Sequence, residues 1–388
     1  MASNFGFHKS VLYLLEKRAR FLGNPNGWDW ILQDPIAIWF IPSLYFLHQE
    51  GFVNLSDQTR KICKNIYLRV VAKRLRRQHY IKPIINSLEK AGIDVIPLKG
   101  SALVETHYMD FGLRPMTDID ILVRAEDYFA AGKIILANGM NPKWQSSSED
   151  PFEIRYQPEE FWPGEFSFKN EHGLHLDLHQ NLVTSHWFSQ VFPIDMMKVW
   201  EHNMPAYRQI VDEPASIKSL WTRMLSPMDM LAHSCLHLAM HGLQDMQNFL
   251  DLDLLLRNLP SEWDWSQFLA LAKSWKIVST TYHAFIFCQY LFETPIPAFV
   301  IESLTPNIFD RWPVKMLITP QAILKDRSTL GKRYPTLVKF ALFDGGSTKL
   351  RAIHNLLFPN RSLLKNKPDH KSLFHHWLHV FKVLLRGD

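Results

Sequence analysis

Asp118 and Asp120 stand one residue apart in Thr117-Asp118-Ile119-Asp120-Ile121-Leu122-Val123, and a third acidic residue, Asp177, stands in Leu174-His175-Leu176-Asp177-Leu178-His179. Side chains along an extended strand alternate between its two faces. Asp118 and Asp120 therefore share a face, and Asp177 shares one with His175 and His179. Three carboxylates on adjacent strands are what nucleotidyl transfer asks for. Two divalent ions, Mg2+ or Mn2+, held between them would neutralise the α-phosphate and the departing pyrophosphate and activate an acceptor oxygen.

Such chemistry also needs a place for the phosphates. Lys99-Gly100-Ser101 follows a short apolar stretch and leads into a helix, so it offers exposed backbone N–H groups, a small hydroxyl and a helix terminus to a triphosphate. Lys99 and Arg114 add positive charge, Arg114 with the capacity for a two-pronged grip on an anion. The plainer alternative for Arg114 is a salt bridge to Asp118 or Asp120 that fixes the loop. His175 and His179 are placed to orient a carboxylate or take a proton. His233, His237 and His241 recur every four residues on one helix, where packing explains them better than ligand binding does, His237 being the one kept as a possible supporting site residue.

The elements that must position these groups form an α+β arrangement, a small mixed-sheet core flanked by N-terminal and C-terminal helical regions. Residues 1–92 read as helices. Asp57 suits the cap of a long one through Cys63, Ile66, Tyr67, Val70 and Val71, Pro83 is expected to bend or restart it, and Gly92 stops it. Residues 93–182 change period: Ile93 to Leu98 and Thr117 to Val123 suit strands, a helix follows through Tyr128 to Leu136, and Phe166-Ser167-Phe168 pairs with Leu174 to His179 as a hairpin across Asn170 to Gly173. Residues 183–388 are mostly helical. Ser226-Pro227-Met228-Asp229 is a helix start, Gly242 closes that helix, and further helices cover Phe249 to Arg257, Trp265 to Trp275 and Ser279 to Phe292.

Residues 95–123, VIPLKGSALVETHYMDFGLRPMTDIDILV, resemble the strand, Gly-Ser turn, helix, Arg-Pro and Asp-x-Asp strand of the DNA polymerase beta superfamily of nucleotidyltransferases. The chain is most similar to a bacterial group called the uncharacterised nucleotidyltransferase family. In order, the matching segments are Leu98-Lys99-Gly100, Arg114-Pro115-Met116-Thr117-Asp118-Ile119-Asp120 and Leu176-Asp177-Leu178-His179. The resemblance implies that Asp118 and Asp120 bind the metals and that Gly100 and Ser101 contact the triphosphate; Asp177 matches by order and strand pattern. Sixteen residues separate Ser101 from Asp118, more than in the smallest members of the superfamily, and Gly112 suggests a loop that absorbs the excess.

The rest of the sequence narrows the setting. With 47% hydrophobic and 21% charged residues the chain reads as globular. Cys63, Cys235 and Cys288 lie far apart, which argues against a zinc site or disulfide framework and for a reducing compartment. The apolar stretch Val11 to Leu15 is too short for a signal-peptide core, and Ile36 to Leu47 is too short for a membrane span, so a cytoplasmic location is expected. The net charge of +5 belongs to residues 349–388, which carry eight Lys or Arg against two Asp. Neither this tail nor the group Lys73, Arg74, Arg76 and Arg77 matches a nucleic-acid-binding module, and a nucleic-acid partner is not favoured. The expected substrates are an NTP, ATP first, and an acceptor that is a small molecule, a peptide or a protein. Two alternatives stay open: a metal-dependent glycosyltransferase using a nucleotide-sugar, and a non-catalytic nucleotide- or partner-binding protein of the same fold.

Overall fold

The computed structural model describes residues 2–23, 27–108, 110–143, 165–183, 191–206, 220–325, 333–358 and 377–378. The first helices are α1 (Ala2–Phe21), α2 (Ile41–Gln49) and α3 (Asp57–Lys90). The cap of α3 is Ser56, whose hydroxyl accepts from the Thr59 N–H, and the expected cap, Asp57, is instead the first helical residue. Pro83 does not interrupt α3, which runs unbroken for 34 residues. Ile81, Ile84, Ile85 and Leu88 around the proline are buried against the sheet, and this packing offsets the missing backbone hydrogen bond.

The core follows as β1 (Ile96–Pro97), α4 (Lys99–Thr106), β2 (Ile119–Leu122), α5 (Tyr128–Ala137), β3 (Asn141–Pro142), β4 (Glu165–Lys169) and β5 (His175–His179). These strands make one sheet in the order β1-β2-β5-β4-β3. β2 and β5 run parallel and the other neighbours are antiparallel, so the sheet is mixed, as the sequence implies. The β4-β5 hairpin turns through Asn170 to Gly173, where Asn170 Oδ1 accepts from the His172 and Leu174 N–H groups and Gly173 takes a φ of +77°.

On one face of the sheet Ile119, Ile121, Val123, Phe166, Phe168, Leu176 and Leu178 pack with α5 and the end of α3. The other face carries the polar residues. The elements that follow are α6 (Met196–His202), α7 (Pro227–Met240), α8 (Met246–Arg257), α9 (Trp265–Ser274), α10 (Val278–Phe292), α11 (Ala298–Leu304), α12 (Ile308–Leu317), α13 (Arg333–Ala341) and α14 (Gly346–Leu357), with a two-stranded ribbon of β6 (Met204–Pro205) and β7 (Arg223–Met224). Among them, the polar face looks toward α7 and the start of α8. α7 has the expected start, with Ser226 accepting from the Asp229 N–H and Pro227 in the first turn, and ends next to Gly242 at φ +64°. Helices from both ends of the chain share one hydrophobic core, in which Phe7 and Val11 of α1 join Leu236, Phe249, Phe285 and Phe292. That core reaches Leu98, Leu103 and Leu113, the residues that flank the Lys99-Gly100-Ser101 turn and the loop leading to Asp118.

Candidate active site

Strand register brings the carboxylates together. Asp120 on β2 lies directly opposite Asp177 on β5, and Asp177 lies opposite Ser167 on β4. Because the parity is shared across the three strands, Asp118, Asp120, Asp177, His175, His179 and Glu165 all belong to the face away from the apolar layer. Asp118, Asp120, Asp177 and Glu165 line one cavity of about 810 Å³, with Lys99 and Gly100 on one wall and His233, His237 and His241 of the α7 segment on another.

Asp120 is 4% exposed and is the best-tethered of the three. Its Oδ1 accepts from Lys99 Nζ at 2.6 Å and lies 2.9 Å from His179 Nε2. Burial pushes its pKa up, but Lys99 and His179 outweigh it and hold the carboxyl well below the usual range. The same pairing overcomes the burial of Lys99 and keeps its ammonium protonated above its ordinary value. Asp177 is the opposite case. Burial, then the charges of Glu165, Asp120 and Asp118, raise it to about 6, although Ser167 pulls it down.

The Lys99-Gly100-Ser101 turn has a different division of labour from the one read in the sequence. Lys99 adopts a left-handed φ of +50°, a conformation unusual for a residue with a side chain and common at functional turns. Gly100 is required by close approach: a Cβ there would collide with the Arg114 guanidinium. Ser101 is fully buried and does not line the cavity. Its hydroxyl accepts from the Asp120 N–H at 3.0 Å, so it fastens α4 to β2 and supports the site from behind, where the sequence suggested a phosphate contact.

Arg114 makes the two-pronged grip expected of it, but on Asp251 of α8. Nε and Nη2 donate to the two carboxylate oxygens at 2.9 and 2.6 Å, and the salt bridge to Asp118 or Asp120 considered for it is not formed. Asp251 also accepts from Tyr108 Oη at 2.6 Å, which in turn accepts from Gln247 at 2.7 Å. The remaining nitrogen, Nη1, lies over Gly100 at the edge of the cavity.

The histidines divide as well. His179 is fully buried between Asp120 and Glu165, at 2.9 and 3.9 Å, and acts on the site through Asp120. His175 is half-buried and lines a second cavity instead. His237 lines the first. Burial, reinforced by Lys99 and its neighbours His241 and His233, lowers its pKa well below the ordinary value, while burial, Lys99 and His179 bring His233 to about 3. Both imidazoles are neutral and present uncharged polar atoms to the cavity.

Two residues were missed in the sequence. Glu165 begins β4 one position before the expected strand; its alternation with Phe166 and Phe168 was the available signal. Asp251 sits among leucines on a helix whose whole circumference is buried, and an acid in that setting requires a partner.

Three carboxylates offer hard oxygen donors of the kind Mg2+ and Mn2+ take, and the raised pKa of Asp177 reflects burial first and then neighbouring negative charge that a cation would relieve. Asp120, however, is already engaged by Lys99 and His179, and among the described residues no three acidic, histidine or cysteine side chains are arranged as a closed metal-holding group. The residues fit a divalent ion by chemistry and register, with Lys99 having to release Asp120 to admit it.

A family model described as "Uncharacterised nucleotidyltransferase" matches residues 43–293. The match takes in α3, the whole sheet, the α7 and α8 segments that line the cavity, and α10 beyond them. No curated protein and no solved structure matches the chain.

Proposed function

The chain belongs to the uncharacterised nucleotidyltransferase family, and from that premise we propose that it moves a nucleoside monophosphate from an NTP, ATP first, to an acceptor with release of pyrophosphate. The observation that carries this reading is the register that sets Asp120 against Asp177 on one face, beside Asp118 and below the Lys99-Gly100 turn, all in one cavity. Asp118, Asp120 and Asp177 would hold Mg2+ or Mn2+, which when bound neutralises phosphate charge and makes an acceptor oxygen more acidic.

The chain's own residues supply the remainder. Lys99, freed from Asp120, carries its ammonium toward the phosphates. Gly100 lets the triphosphate approach the backbone at the start of α4, where the helix terminus favours an anion. Arg114 Nη1 borders the same space, while its other two nitrogens stay on Asp251. The neutral His233 and His237 form a polar wall that adds no charge. Three buried free thiols suit a reducing compartment, and we assign the reaction to the cytoplasm; among the described residues no helix is long and apolar enough to cross a membrane.

The test is nucleotide binding and pyrophosphate release with each NTP and Mg2+ or Mn2+, in cell extract as the acceptor source, for the wild-type chain and for Asp118→Ala/Asp120→Ala. Metal-dependent release that disappears in the double variant is the expected result. Release of a nucleoside diphosphate would instead mark sugar transfer, and a wild-type chain that binds no NTP with either metal would leave the non-catalytic alternative.

A further inference from the structure

Behind the loop from Arg114 to Asp118 lies a second cavity of about 530 Å³. It shares Asp118 and Asp177 with the first cavity, so the candidate metal-binding carboxylates stand on the border between the two. Its outer wall is one stripe of α3: Lys73, Arg76, Arg77 and Tyr80 recur at the three- and four-residue spacing that puts side chains on one helix face. Lys143, just after β3, closes it from the sheet side, together with His172, whose ring stacks on Tyr80 at 4.6 Å.

The charge of this cavity is one-sided. Arg74 and Arg114 also reach it, but they are committed to buried pairs with Glu105 and Asp251. Among the described residues, Lys73, Arg76 and Lys143 have no acidic partner, and Arg77 donates to the Thr117 carbonyl at 3.2 Å. The cavity's acids are Asp118 and Asp177, both at the border with the first. Four cations gathered around a concave space repel one another, and an anion between them relieves that repulsion.

We propose that this second cavity is the acceptor subsite and that the acceptor is a small molecule bearing a phosphate group. The inference rests on the nucleotidyltransferase reading above and names the substrate class that reading leaves open. The phosphate sits among Lys73, Arg76, Arg77 and Lys143, and the accepting hydroxyl reaches the border at Asp118 and Asp177. There the hydroxyl oxygen forms a bond to the α-phosphorus of the nucleotide held in the first cavity. The bond from that phosphorus to the oxygen bridging to the β-phosphate breaks, pyrophosphate leaves with the electron pair, and the hydroxyl proton goes to water. A cluster confined to the walls of a cavity suits a compact anion, whereas a nucleic-acid strand calls for an extended basic track.

Lys73 and Arg76 are exposed on α3, so Lys73→Gln/Arg76→Gln removes two charges at little risk to the fold. Three measurements on the full chain decide the matter: calorimetric titration with inorganic phosphate, titration with Mg-ATP, and transfer of label from α-labelled ATP into metabolite extract before and after phosphatase treatment. Phosphate is expected to bind the wild type about tenfold to a hundredfold more tightly than the double variant, the loss of charge-assisted hydrogen bonds being of that size. Mg-ATP affinity stays within about twofold, because the first cavity is untouched, and phosphatase treatment abolishes small-molecule labelling. Equal phosphate affinity in the two proteins, no phosphate binding, or label that survives phosphatase or enters RNA or protein would overturn the proposal. Absence of Mg-ATP binding in the wild type would instead overturn the nucleotidyltransferase reading.

Discussion

Asp177 carries a cost that the fold has accepted. Its pKa is 3.8 when unperturbed and about 6 in the folded chain, so the folded state holds the proton more tightly than the unfolded one. The penalty is absent below about pH 4, grows as pH rises toward 6 and is complete above that, at roughly 3 kcal/mol as an upper bound. Asp177→Asn is therefore expected to raise the midpoint of denaturant unfolding at pH 7.5 and to leave it nearly unchanged at pH 4, while abolishing nucleotide-dependent release of pyrophosphate. Equal stability of the two proteins at pH 7.5 would mean that the charge on Asp177 is already compensated. The aspartates were legible because alternation and motif order both point to them. Ser101 is less legible, because a hydroxyl on a strand-to-helix turn suits either a phosphate or a neighbouring backbone N–H, and this one accepts from the Asp120 N–H. Only the position of β2 behind the turn decides between them.

At the level of elements, α3 is the spine that holds the loop before Asp118. Tyr67 donates to Asp110 at 2.6 Å, Arg74 pairs with Glu105 at 2.9 Å, and Arg77 reaches the Thr117 carbonyl. Gly112 fits beneath α3 because it has no side chain: a Cβ there would meet the Tyr67 ring and Val71. Gly112 was read as the mark of a loop that absorbs extra length. Its role is narrower, a contact that sets how closely the loop lies on the helix. Gly112→Ala is expected to destabilise the chain by about 1–3 kcal/mol, as overpacking does, and to weaken both metal and phosphate binding because Asp118 shifts with the loop. Calorimetric unfolding and metal titration of the variant check this; an unchanged midpoint would show that Tyr67 can move aside. The continuity of α3 through Pro83 could not be read locally, since the packing that stabilises that turn comes from strands later in the chain.

Taken as a whole, the molecule walls its candidate site with helices that lie outside the sheet. Arg114 and Asp251 are 8% and 5% exposed at their side chains, and the pair joins the loop before β2 to α8. Removing one partner leaves a buried charge alone, so Arg114→Ala is expected to cost about 3–5 kcal/mol, whereas Arg114→Met/Asp251→Leu recovers most of it. Denaturant unfolding of the single and double variants measures the difference, and additive losses would show that the two groups do not interact. The mixed sheet with helices on either side was legible from the change of period along the chain. This tie between α8 and the loop was not, because Arg114 and Asp251 are 137 positions apart and nothing local links them.

That separation also sets an order in time. During synthesis Asp118 and Asp120 emerge first, Asp177 follows with β5, and Asp251 comes later still. Until α8 docks, Arg114 has no counterion and the wall carrying His233 and His237 has no helix to brace it. A nascent chain that ends short of α8 lacks the stretch from Met246 to Asn248 that completes the lining of the cavity, and it lacks the Asp251 partner of Arg114. The cavity is thus completed by segments made after the strands, in the second half of the chain.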